Sequence, residues 1–458
     1  MLRVPRAFVV LAVLLFPIVG SIARDAHAEV VPQAIELPPV LTLEEALRLF
    51  RQRGLDLLIA EASVMSAEGD VRIAGAVPNP SVNVGYGRAF AYSIDSNPPC
   101  PTCSANTYAI GLSDSAAIVD SLSGKRGLRV RVARAALAAA KMARADAQRQ
   151  LELQIKAAYV QVALARAAVA FAKDIQTSNS KTLELNKLRY PQVIDEGALA
   201  RIETQKLESD QQVELADQSL RIARINLAFL MGVRGKIPDY DVEKDLLKFM
   251  LPSALVGANE ESLLKRAIEH RPDLRLIAYQ KSRAEAAIAL AKRQRFPDIA
   301  ISINYSQTGT GDGRDRKGDP VASSIQPPTL LFGLTAPIPI FYQQQGEIRR
   351  AEADYNTQSL LYAKTTAQVV ADVSLAYAQF SSSKRLVERM ETGGLLERAK
   401  KARDIVEVQF KAGSATLIDF LDAQRTFIAI NVEYLQDLTA YWTAIYALET
   451  AVGVELRK

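Results

Sequence analysis

Between Leu151 and Phe171 the apolar residues Leu151, Ile155, Ala158, Val162, Ala165 and Val169 recur at steps of three and four, while Arg149, Lys156 and Arg166 fall on other faces. That spacing predicts an amphipathic helix. The surrounding stretch from Leu122 to Tyr190 holds no proline and is dense in strong helix formers, and Gln343 to Phe410 has the same character. At 1.5 Å per residue, each is expected to form one helix roughly 100 Å long. Four segments about half that length read as helical too: Leu43 to Val77, Ala198 to Met231, Asn259 to Arg295 and Leu417 to Val452. Two short helices stacked end to end match one long helix, so the expected body is an elongated helical cylinder.

A second period interrupts the helices. In Ser81-Val82-Asn83-Val84-Gly85-Tyr86-Gly87 the apolar residues share one face and the small or polar ones the other. Ile299, Ile301, Ile303 and Tyr305 alternate with Ala300, Ser302, Asn304 and Ser306, and Leu330, Phe332, Leu334 and Ala336 alternate with mostly smaller residues. Strands are expected at about 81–93, 107–113, 298–308 and 329–336. Apolar on one side and small or polar on the other suits lipid outside and water inside. A strand pair lying on a soluble core gives the same pattern. Four strands are too few to close a barrel, since about eight are needed before the interior holds side chains, so a lipid-facing version must oligomerise.

The two periods occur twice. Glu44, Leu47, Asp56, Leu57, Ala67, Glu68 and Pro80 recur without a gap as Glu261, Leu264, Asp273, Leu274, Ala284, Glu285 and Pro297. A period of about 217 residues is too long for a solenoid and reads as tandem halves. The expected division is a signal peptide over 1–28, a first repeat over 29–231, a linker over 232–258 and a second repeat over 259–458. In the signal, Arg3 and Arg6 precede an apolar run from Ala7 to Val19, and Ala26-His27-Ala28 supplies a small-x-small cleavage site.

Composition narrows the function. The chain has 458 residues, 49 % of them hydrophobic but only 7 % aromatic. Its formal charge of +5 falls to +3 when Arg3, Arg6, Arg24 and Asp25 leave with the signal, so no nucleic-acid partner is expected. No later stretch reaches 18 consecutive apolar residues, which argues against a spanning helix and leaves a β-barrel open. Cys100-Pro101-Thr102-Cys103 sits between the first two strands. A disulfide between Cys100 and Cys103 in an oxidising compartment is the simple expectation. A metal site needs more ligands, and His270, the only histidine outside the signal, lies in a distant helical segment. Gly309-Thr310-Gly311-Asp312-Gly313 lacks the last glycine of a dinucleotide fingerprint, where Arg314 stands. Asp312, Asp315 and Asp319 lack the twelve-residue calcium-loop pattern. No catalytic, cofactor or metal site is expected, and no enzyme activity.

Taken in order, Leu41-Thr42-Leu43-Glu44-Glu45-Ala46-Leu47, Pro78-Asn79-Pro80-Ser81, Arg271-Pro272-Asp273-Leu274, Pro337-Ile338-Pro339-Ile340-Phe341 and Gly413-Ser414-Ala415-Thr416-Leu417-Ile418-Asp419-Phe420-Leu421-Asp422-Ala423 resemble outer-membrane efflux proteins of the TolC family. Arg189-Tyr190-Pro191-Gln192 and the Lys206-Leu207-Glu208 region are most similar to the outer-membrane components of cobalt, zinc and cadmium efflux systems. The resemblance implies a mainly helical fold with a membrane β-barrel part. Three chains would form a homotrimer whose twelve strands make one barrel in outer-membrane lipid and whose helices continue as a tunnel into the periplasm. It further implies a periplasmic adaptor (membrane fusion protein) and an inner-membrane pump of the resistance-nodulation-division type as partners, with passive export of heavy-metal cations or, alternatively, of drugs or organic solvents. A soluble periplasmic coiled-coil scaffold or adaptor explains the helices but leaves the strand faces without use.

The same resemblance assigns the tip. The turns near Tyr190 to Ala198 and Phe410 to Thr416 would meet the adaptor, with Tyr190, Val193, Phe410, Gly413 and Leu417 as contacts. Asp419 and Asp422 would ring the aperture, six carboxylates in three chains, attracting cations and raising one another's pKa values. The residues by themselves equally fit ordinary solvated acids near a helix N-terminus. Where the best-known member has a tyrosine and an arginine that hold the aperture shut, this chain has Phe410 and Ala415.

Overall fold

The computed structural model describes residues 37–89, 105–192, 194–243, 247–310, 313–314, 320–321 and 328–456. The expected signal peptide, Cys100, Cys103, Val193, Asp312, Asp315 and Asp319 lie outside these residues. The first helix, α1 (Leu43–Arg53), starts at Thr42, whose hydroxyl accepts the Glu45 N–H at 3.1 Å while the Glu45 carboxylate accepts the Thr42 N–H at 3.1 Å. This reciprocal box satisfies two donors that a helix start leaves open.

Of the four segments expected as single short helices, two are each broken once. In the first half α1 ends at Gly54 and α2 (Leu55–Gly75) follows; in the second, α6 (Glu260–His270) ends at Arg271 and α7 (Pro272–Arg293) follows. A Cβ at Gly54 would lie 2.5 Å from the Phe50 ring, so only glycine lets the chain turn there against that ring. In the second half Pro272 makes the break, because it cannot donate to the preceding turn and serves as a first helical residue. The break falls at equivalent positions of the two halves, and Leu57 and Leu274 just beyond it are both buried.

After the short α3 (Ala117–Leu122), helix α4 (Lys125–Arg189) is continuous over 65 residues, roughly 100 Å. Contrary to expectation, its counterpart is not one helix. It is divided into α8 (Gln345–Thr392) and α9 (Leu395–Ala412) at Gly393-Gly394. Gly394 has φ +63°, a left-handed conformation that ends a right-handed helix and that glycine adopts without penalty. Two short helices run toward the tip, α5 (Glu196–Leu230) beside α4 and α10 (Leu417–Val452) beside α8 and α9, while α2 and α7 line the opposite end. An 18-residue window of α4 reaches a mean hydropathy of 1.4, enough by length and composition to cross a membrane. A helix can therefore reach this hydropathy without an uninterrupted apolar run. The helix nevertheless packs Ile155, Tyr159, Val160 and Val162 into the protein core.

That core forms a waist. Leu41, Tyr159, Leu227, Val242, Leu438, Trp442 and Tyr446 are almost fully buried within it. Residues 232–258, read from sequence as a linker, supply part of it: β4 (Asp241–Val242) pairs in parallel with β1 (Val40–Leu41), and Trp442 donates its indole N–H to the Lys248 carbonyl at 3.2 Å. Charges are buried here only as pairs. Lys156 meets Glu449 at 2.7 Å, and Glu449 also accepts the Leu456 N–H at 2.9 Å. Arg271 bridges Asp273 at 2.5 Å and Asp372 at 2.9 Å. Burial alone would raise the Asp273 carboxyl, but the hydrogen bond and charge of Arg271 outweigh it and hold it below the usual range.

Four strands form one antiparallel sheet in chain order: β2 (Ser81–Ala89), β3 (Ala105–Ser113), β5 (Ala300–Thr310) and β6 (Thr329–Thr335). The register stacks Val82 on Leu112, Leu112 on Ile303 and Ile303 on Phe332, giving one continuous apolar face. Most of it is exposed, with Val84 at 64 % and Phe332 at 70 %. The other face aligns Asn83, Gly111 and Asn304, and a Cβ at Gly111 would lie 2.1 Å from the Asn304 side-chain oxygen. Among the described residues, no strand pairs with the outer edge of β2 or of β6.

Replacing Glu449 with Ala leaves the Lys156 ammonium buried without its partner and is expected to cost about 3–5 kcal/mol, whereas the double replacement Lys156→Met, Glu449→Leu recovers most of it. Urea unfolding of the detergent-solubilised protein measures both.

Candidate functional site

The end of the molecule away from the sheet is built from two helical turns. In the first, α4 ends at Arg189, and Asp195 caps α5 by accepting the Ala198 N–H at 2.6 Å. In the second, Gly413 takes φ +79° and closes α9, while Thr416 and Asp419 form a reciprocal capping box on α10. One hydrogen bond ties the turns together, from the Arg189 guanidinium to the Lys411 carbonyl at 2.6 Å.

The sequence-predicted residues fall into three environments. Tyr190 is 41 % exposed at the end of α4, and Leu417 opens α10 half-buried. Phe410 is buried, its ring stacked on Phe420 at 5.3 Å and 5°, so it shapes the turn from inside and offers little surface. Asp419 and Asp422 are both exposed on one side of α10, and among the described residues neither is in an ion pair. The Asp419 carboxylate accepts the Thr416 hydroxyl at 2.7 Å and the Thr416 N–H at 3.0 Å. These bonds hold its pKa below the usual value. Within one chain the shift thus runs opposite to the rise expected from a ring of carboxylates.

Sequence reading missed a polar layer behind the tip. Asn179, Thr182 and Asn186 follow one another at steps of three and four on α4, and all are buried. The Gln424 amide of α10 donates to Asn179 Oδ1 at 2.7 Å, and Asn186 donates to the Thr182 carbonyl at 2.7 Å. Among the described residues, Gln424 Oε1 and Asn186 Oδ1 are buried without a partner. The signal was the helical spacing of Asn and Thr where an apolar stripe would otherwise run. Toward the waist, α4, α5 and α10 border a cleft of about 770 Å³, apolar at Phe171, Ile175, Ile428 and Val432 and rimmed by Gln205 and Gln436. Among the described residues no cluster of three or more His, Cys, Asp or Glu side chains is placed to hold a metal ion.

With this geometry in view, comparison with known proteins is decisive. A family model described as outer membrane efflux protein matches residues 46–233 and 263–454, one match for each half. The chain belongs to this family. It is an outer-membrane efflux protein whose helical body extends into the periplasm. Similar relatives are the cobalt-zinc-cadmium resistance protein CzcC of Cupriavidus metallidurans, 22 % identical over 90 % of both chains, and the pyoverdine export outer membrane protein OpmQ of Pseudomonas aeruginosa, 24 % identical over 87 % of this chain and 82 % of the relative. Among solved structures, CusC superposes with a TM-score of 0.70 at 19 % identity, covering 90 % of this chain and 92 % of CusC. VceC of Vibrio cholerae superposes at 0.67 and 18 % identity, covering 90 % and 96 %. The family and these folds are those of channels.

The capping box gives the tip a defined pH response. Because the folded pKa of Asp419 is depressed, its stabilising contribution is fully present above the ordinary aspartate value of 3.8 and is lost as pH falls through the lower folded value. Amide exchange in the first turn of α10 is expected to accelerate over that window, and Asp419→Asn is expected to abolish the pH step. Thr416→Ala should weaken the same turn at every pH, by about 1 kcal/mol.

Proposed function

We propose that three copies of this chain join edge to edge, β2 of one against β6 of the next, to close a twelve-stranded barrel continued by a helical tunnel, and that this assembly is the passive exit duct of a tripartite efflux system. The observation that carries the reading is the four-stranded sheet with an exposed apolar face and two open edges. A bilayer offers no water to satisfy edge N–H and C=O groups, so lipid-embedded strands must close on further strands. An inner-membrane pump of the resistance-nodulation-division type supplies the energy, and a periplasmic adaptor meets the tip around Tyr190, Val193, Gly413 and Leu417, with Phe410 setting the shape of its turn from within.

Asp419 and Asp422 line the aperture in this reading, and their exposure and, among the described residues, their lack of an ion-pair partner support it. The proposed cargo is a heavy-metal cation, supported by the similarity to CzcC over most of both chains. A siderophore or other organic cargo is the second reading, supported by OpmQ at comparable identity and coverage. Cys100 and Cys103 are proposed to be joined by a disulfide in the outward-facing loop.

Native mass measurement of the detergent-extracted protein is expected to give a trimer; a stable monomer would remove the duct. In planar bilayers the double variant Asp419→Asn, Asp422→Asn should assemble normally, lose part of the wild-type cation preference, and resist block by multivalent cations added at the tip side. Unchanged selectivity and block would leave both residues as solvated helix-end acids. A deletion strain should become sensitive to cobalt, zinc or cadmium, and sensitivity to organic compounds alone would select the second cargo.

A further inference from the structure

Where the sheet meets the helices, an apolar band and a band of arginines lie next to each other. The register gathers the four strand ends there: Ser81 pairs with Ser113, Ser113 with Ser302, and Ala300 with Thr335. The segments leaving those ends are also joined directly. Lys125 donates to the Phe296 carbonyl at 2.6 Å, Arg293 to the Ser123 carbonyl at 2.6 Å, and Arg126 to the Gly75 carbonyl at 2.7 Å.

Ile118, Leu122, Phe296, Ile338, Ile340 and Phe341 are all exposed in this zone, Phe341 at 98 %. Ile338, Ile340 and Phe341 follow the end of β6 at Thr335 within six residues, so exposed apolar side chains adjoin the apolar face of the sheet. On the helical side stand Arg126, Arg293, Arg295, Arg349 and Arg350, all exposed, and among the described residues none of the five is in an ion pair. Of the carboxylates nearby, Asp120 is held by Arg129, Asp298 by Lys125, Glu347 by Tyr342 and Glu352 by Lys292, while Asp354, one turn from Arg350, is exposed and among the described residues in no ion pair.

We propose that this zone is a phospholipid-binding collar, in which the arginines take the phosphates of anionic phospholipids and the apolar residues enter the acyl region beside them. Guanidinium groups match phosphate oxygens with two parallel hydrogen bonds. The five arginines come from three separate segments and do not converge on one pocket, which fits an extended anionic sheet better than a single soluble anion. The inference rests on the lipid-facing reading of the strands, and the test separates the two.

Full-length protein carrying Phe341→Trp or Phe332→Trp is reconstituted into vesicles of brominated phosphatidylcholine mixed with phosphatidylglycerol. Both tryptophans are expected to be quenched. Quenching at 332 without quenching at 341 overturns the collar and leaves the barrel standing, whereas quenching at neither position overturns both. Headgroup choice is read by native mass spectrometry with added phosphatidylglycerol or phosphatidylcholine. Wild type should retain phosphatidylglycerol preferentially. Since each such arginine strengthens the attraction roughly fivefold, Arg295→Gln, Arg349→Gln, Arg350→Gln together should cut that preference on the order of a hundredfold. The corresponding triple lysine variant, which keeps the charge but not the paired hydrogen bonds, should fall between wild type and the glutamine variant. Equal retention of the two lipids by wild type, or an unaltered preference in the glutamine variant, overturns the proposal.

Discussion

The backbone hydrogen bonds at the two edges of the sheet constrain everything else in this molecule. Strands β2 and β6 each carry a row of donors and acceptors with no partner strand among the described residues, and their apolar face points outward. In water such edges invite aggregation; in hydrocarbon they are untenable until closed. The proposed closure would fix the diameter of a helical tunnel below it, because short segments join the strand ends to the helices. At that junction Asp114 accepts the Ile301 N–H at 2.7 Å and Lys125 holds Asp298 at 2.7 Å, so the junction is stiffened by short polar contacts.

Much of this was legible along the chain. Period-two alternation marked the strands because one face is apolar throughout, and the missing prolines marked the helices. The repeat was readable because both halves solve the same packing problem, as the paired burial of Leu57 and Leu274 illustrates. Helix breaks were harder. Gly54 turns the chain because of where the Phe50 ring sits, and that is a tertiary fact with only a weak local signal. Gly393-Gly394 was visible as a dipeptide, yet isolated glycines are tolerated within helices, and only the left-handed φ of Gly394 decides the matter.

The tip was legible in outline and obscure in detail. Loop position and the Thr416–Asp419 spacing could be read from sequence, because a capping box is a local pattern. The stacking of Phe410 on Phe420 and the amide contact between Asn179 and Gln424 join residues brought together only by the fold. The two buried amide oxygens left over beside that contact make the α4–α10 packing at this level less favourable than the apolar packing of the waist.

The tip is carried on two unlike arms. With Tyr190 matched to Phe410, the positions corresponding to Gly393 and Gly394 are Lys173 and Asp174, in the unbroken middle of α4. Under an equal sideways load, the α4 arm flexes as a continuous beam and spreads the curvature over many turns, while the α8–α9 arm folds at a single joint. Duplication supplied two copies of one limb, and a pair of glycines has made one a fixed post and the other a jointed arm.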